Sequence, residues 1–96
     1  MNAQDQMFEL VDVTRVEPRG GYRLALAFSD GTEGERDFAE LIAEGGEMVE
    51  PLRDQAFFAR VFLDDGALTW PNGFDLDPIA RHMQMKERGL LRRTAA

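Results

Sequence analysis

The stretch Leu68-Thr69-Trp70-Pro71-Asn72-Gly73-Phe74-Asp75-Leu76-Asp77-Pro78 constrains this chain more than any other. It holds the sole tryptophan and two of the four prolines, and it reads as strand, tight turn and capped helix. Trp70 closes an apolar run and Pro71, which lacks a backbone donor, stops the strand. Asn72-Gly73 is the dipeptide that best tolerates positive φ. Asp77-Pro78 matches a helix N-cap followed by proline at the first helical position. Asp75 reads as a turn-forming side chain that satisfies local amides.

The rest of the chain fits around that corner. A first strand is expected over residues 7–17, with Val11, Val13 and Val16 as β-branched members and a bulge where alternation breaks between Val13 and Val16. Pro18-Arg19-Gly20-Gly21 makes a turn. In the next strand Tyr22, Leu24, Leu26 and Phe28 share one face, and the opposite face is small enough to be covered. Ser29-Asp30-Gly31-Thr32 turns into a short polar strand over residues 33–36, rich in charge and glycine, which reads as a sheet edge. Asp37 and Glu40 have capping-box spacing ahead of a helix with Phe38, Leu41 and Ile42 inward, ended by Gly45-Gly46. Met48-Val49-Glu50-Pro51-Leu52 is expected to be extended, packed through Met48 and Leu52. Asp54 caps a further short helix that turns Phe57, Phe58 and Val61 inward. Asp65-Gly66 is the strongest hairpin signal, joining Phe62-Leu63-Asp64 to Ala67-Leu68-Thr69-Trp70. The last helix starts at Pro78, with Ile79, Met83 and Leu90 as its apolar stripe, His82 beside them at the core boundary and Gly89 as its stop. The order β-β-β-α-α-β-β-α gives an α+β fold on a small antiparallel sheet.

Ninety-six residues make a single domain, 1–96, with its core over about residues 7–89 and frayed ends at 1–6 and 90–96. There is no cysteine, which excludes disulfides, thiolate metal sites and thiol catalysis. The polar, acidic start lacks the layout of a signal peptide, and no apolar run approaches a membrane span, so a cytoplasmic location is the default expectation. The net charge of −7 is unevenly spread: six arginines face seventeen acids through residue 80, after which Arg81, Lys86, Arg88, Arg92 and Arg93 face Glu87 alone. A basic last turn complements its own helix dipole, and it is also the one place where the chain could touch an acidic partner or nucleic acid.

Chemistry-bearing residues are sparse. Asp75 and Asp77, with Asp64 and Asp65 near them, form the best candidate for a carboxylate or metal site, but the spacing fits no calcium loop; His82 is the one candidate acid or base, and no nucleophile accompanies it. Asp77 is better explained as a cap and His82 as a boundary residue. No Gly-rich phosphate loop is present. The aromatic residues sit among acids rather than among lysines and arginines, unlike stacking platforms for single strands, and read as core. Phe74 is the exception: it either plugs the sheet edge or offers an apolar contact to a partner. The expectation is therefore no catalytic residue, no cofactor and no metal.

From residue 11 to residue 78 the order of features resembles the bacterial family catalogued as domain of unknown function 2442. The residues that carry the likeness are Tyr22-Arg23-Leu24-Ala25-Leu26-Ala27-Phe28-Ser29-Asp30-Gly31, then Pro51-Leu52 with Phe57-Phe58, then the block from Leu68 to Pro78. The resemblance implies an α+β fold, no assigned catalytic residues, and a role beside another small protein in the manner of an antitoxin with its toxin. The basic helix beyond Pro78 departs from the usual pattern.

Three functions follow, in order. The first is a non-catalytic protein-interaction module whose partner is another small protein, with Phe74, Arg81, Lys86, Arg88, Arg92 and Arg93 as candidate contacts. The second is nucleic-acid contact through the same basic end. The third is a metal-dependent hydrolase using Asp75, Asp77 and His82.

Overall fold

The computed structural model describes residues 10–94. Its strands are β1 (Val13–Pro18), β2 (Arg23–Phe28), β3 (Thr32–Asp37), β4 (Phe62–Asp64), β5 (Ala67–Thr69), β6 (Asp75–Leu76) and β7 (Arg92–Arg93). Its helices are α1 (Ala39–Glu44), α2 (Gln55–Phe58) and α3 (Pro78–Glu87). The α+β class and the element order are as expected, but the strands divide between two antiparallel sheets, β1-β2-β3-β7 and β4-β5-β6.

In the larger sheet Leu24, Leu26 and Phe28 face the core, as alternation requires. The anticipated bulge lies between Val13 and Arg15. Residues 7–9 of the expected first strand lie outside the described residues, and the strand runs on to Pro18, which an edge position tolerates. The other face of β2 carries Ala25 and Ala27. Ala27 is in register with Arg15 on one side and Glu33 on the other, and Glu33 with Arg92. The small alanine leaves room for long neighbours to meet above it: Arg15 reaches Glu33 at 3.6 Å and Arg92 reaches it at 2.9 Å.

β3 is not the edge that its polarity suggests, because β7 pairs with Thr32 and Glu33. Residues 90–94 are therefore held in place, whereas fraying at 1–6 and 95–96 concerns residues outside those described. Gly34 makes this possible. A Cβ there would lie 2.2 Å from the Leu90 carbonyl oxygen, so only glycine lets the last segment cross β3 this closely.

The capping box expected at α1 does not form. Asp37 accepts from the Ala39 amide at 2.9 Å, and Glu40 turns instead to Arg88. The segment expected to be extended is a 3₁₀ turn, Glu50–Arg53, which buries Val49 and Leu52 and leaves Met48 exposed. Asp54 caps α2 through the Ala56 amide as expected, with Phe58 buried and Phe57 and Val61 half-buried.

Asp65 and Gly66 both have positive φ, the two-residue turn their sequence predicts. The next corner is tied by bonds from the Trp70 amide to the Phe74 carbonyl and from the Gly73 amide to the Trp70 carbonyl, both 2.9 Å, with Gly73 at φ +92°. Asn72 does not take positive φ; its side chain donates to the Met48 carbonyl at 3.0 Å and accepts from the Phe74 amide. Asp75 is not in the turn but in β6, opposite Thr69. Asp77 caps α3 through the Ile79 amide, and Pro78 opens the helix. Bonds from Gly89 to Lys86 and from Leu90 to Met85 close it in a Schellman arrangement.

The buried face of α3 differs from the expected stripe. His82 and Met85 point inward, whereas Met83 and Leu90 are 37% and 38% exposed and Ile79 is half-buried. Two distant contacts rotate the helix this way: His82 reaches Asp30, and Met85 packs beside Gly34. One apolar cluster joins both sheets, with Trp70 buried against Phe58 and Phe74, and the Val13 amide bonds the Gly66 carbonyl across the junction.

Gly34→Ala should cost about 1–3 kcal/mol by overpacking, read by urea unfolding, and should expose the amides of residues 92–94 to exchange. An unchanged midpoint with unchanged exchange contradicts the crossing.

Candidate functional site

The turn between β2 and β3 places Asp30 beneath α3. Its Oδ1 accepts from the Thr32 amide at 3.1 Å and the Thr32 hydroxyl at 2.7 Å, and its Oδ2 lies 2.8 Å from His82 Nε2. The imidazole is 3% exposed and meets the Phe28 ring edge-on at 5.0 Å. Burial alone would raise the Asp30 carboxyl pKa; hydrogen bonds from Thr32 and His82 outweigh it and hold the group below its ordinary value. An open groove of about 370 Å³ passes this pair, with Lys86, Leu91 and Arg92 on its walls.

This pair was missed in the sequence because Asp30 and His82 are 52 residues apart and Asp30 reads fully as a turn residue. The grouping considered from sequence, Asp75 with Asp77 and His82, is not assembled. Asp75 lies on β6, the Asp77 carboxylate is engaged as a cap, and His82 bonds to Asp30. Among the described residues no three His, Asp or Glu side chains are grouped so as to hold a metal ion.

The basic residues take two kinds of position. Arg92 grips Glu33 through Nε and Nη2, and Arg93 Nη1 donates to the Asp30 carbonyl at 2.8 Å, so both help to fasten β7. Arg88 pairs with Glu40 at 3.6 Å where both side chains are exposed. Arg81 lies over Arg36 in a second groove between β3, α1 and α3. Arg36 carries no signal in the sequence beyond its alternation with Gly34 on the inward face of β3. Phe74 is half-buried against Trp70, ring centres 5.8 Å apart, whereas Phe62 on β4 is 45% exposed.

Two antiparallel sheets packed through one aromatic cluster, with three short helices, define a small α+β protein. Residues 13–80 match the model of the family described as protein of unknown function (DUF2442), and the chain belongs to that family. No curated protein and no solved structure matches it. Among the described residues no helix is long and apolar enough to cross a membrane.

Because the folded Asp30 carboxyl lies below its unfolded value, its stabilising contribution is complete above the ordinary carboxylate range and is lost as pH falls through the folded value. Asp30→Asn should cost about 1–2 kcal/mol at neutral pH. It should also flatten the loss of stability that the wild type shows below about pH 4. Parallel acid limbs in thermal melts of the two proteins contradict the assignment.

Proposed function

We propose that this chain is a non-catalytic binding module that docks a basic protein on the outer face of β4-β5-β6. Alternation turns Leu63, Leu68 and Leu76 inward and Phe62, Asp64 and Asp75 outward, while Thr69, between Phe62 and Asp75 in the cross-strand register, is itself buried. Phe62, Thr69 and Asp75 form one cross-strand row, and Asp64 sits two residues along from Phe62 on the same face. Asp65 is exposed at the adjoining turn, and Asp12 lies against Gly66. None of Asp12, Asp64, Asp65 and Asp75 pairs with a cation among the described residues.

The single observation that carries the reading is Phe62, 45% exposed on a face that also carries the unpaired carboxylates of Asp64 and Asp75. An aromatic anchor inside a charged rim is the arrangement that binding hot spots favour, and the rim speeds encounter with an oppositely charged surface. The net charge of −7 supports a basic partner. Holding such a protein is what the neutralising member of a two-protein pair would do. The engagement of His82 with Asp30 and of Asp77 with its helix favours binding over catalysis.

A pull-down from the encoding organism, with wild type and Phe62→Ser in parallel, tests this. The wild type should retain a basic protein that elevated salt releases, and Phe62→Ser should bind it about thirtyfold more weakly, the scale of a hot-spot residue. Equal retention by both proteins, or retention of no basic protein, contradicts the proposal.

A further inference from the structure

Arg36 is 9% exposed, yet no carboxylate pairs with it among the described residues. Its Nη1 donates to the neutral Gln84 Oε1 at 2.5 Å, its guanidinium carbon stands 4.9 Å from the centre of the Phe38 ring, and its Nε is buried with no partner. Arg81 repeats the pattern: its Nε is buried and unbonded. Burial lowers the pKa of both groups; Arg81 and Arg88 lower that of Arg36 further against the attraction of Glu40, while Asp77 attracts Arg81. Glu40 and Glu44 also line the groove, but Glu40 is already shared with Arg88 through an exposed contact worth little.

Buried charges are normally paired, and a buried donor without a partner calls for an explanation. We propose that this groove binds a phosphoryl group, held jointly by Arg36, Arg81 and Arg88. Guanidinium forks match phosphate oxygens, and a dianion with several acceptor oxygens answers three cations at once. A lone carboxylate would add only the charge that Glu40 already supplies. The groove encloses about 220 Å³, room for a phosphoryl group together with a small organic remainder. The site shares no residue with the Phe62 face and stands independently of it.

The test follows the arginine Nε–H resonances of the full chain by NMR during titration with inorganic phosphate, with glycerol phosphate, and with sodium chloride at matched ionic strength. Both phosphates should shift the Arg36 and Arg81 signals, and chloride should not. Tighter binding of glycerol phosphate identifies a phosphorylated small molecule as the ligand; tighter binding of inorganic phosphate identifies the free ion. Arg81→Gln and the more exposed Arg88→Gln should each weaken binding about tenfold, the loss of one charge-assisted hydrogen bond. Phe62→Ser should bind as the wild type does. Shifts reproduced by chloride, no shifts with either phosphate, or wild-type affinity in both arginine variants would overturn the proposal.

Discussion

The burial of Trp70 is the interaction on which the rest of this structure depends. The indole has no solvent exposure, and its one polar atom donates to the Phe58 carbonyl at 2.9 Å. The smaller sheet cannot form a core alone, since β4-β5-β6 offers only Leu68 and Leu76 as buried apolar residues. The ring supplies the missing apolar area, of the order of a few kcal/mol, and meets Phe58 at 5.7 Å and Phe74 at 5.8 Å. Phe58 in turn contacts Tyr22 and Phe38, so the aromatic chain runs from the second sheet through α2 to the first.

The second constraint is steric. Gly34 and Ala27 are small where a strand usually carries bulk, and each lets something cross. Over Ala27 the Arg15–Glu33–Arg92 row spans the open face; over Gly34 the segment after α3 comes down onto β3. That crossing draws α3 against the first sheet and places Arg81 and Arg88 over Arg36. The crowded cations are thus a consequence of how the last helix is seated, and an anion in the groove would relieve the repulsion they create.

What could be read from the chain was local. Asp65-Gly66, Asp54, Asp77-Pro78 and Gly89 each act on residues within a few positions, and each performs the turn, cap or stop that its chemistry predicts. The family was also legible, because its most specific block is that same local corner. Contacts between distant residues were not. The inward face of α3 is chosen by Asp30 and Gly34, both about fifty residues away, so the helix's own periodicity pointed to Met83 and Leu90. β3 carries the polarity of an edge, and nothing within it announces that Arg92 and Arg93 will pair there. At the candidate sites, Phe62 was assigned to the core because aromatic residues usually belong there, and Arg36 looked like any strand arginine.

The Trp70 cluster binds two small sheets into one cooperative unit. Native-state hydrogen exchange tests it most directly, comparing the Trp70 indole N–H and the Val13 and Leu68 amides with the Leu26 amide in the first sheet. The account predicts that all four exchange only by global unfolding, with the same free energy and the same denaturant dependence. Exchange of the Trp70 and Leu68 protons through a lower-energy opening, while Leu26 stays protected, would contradict it.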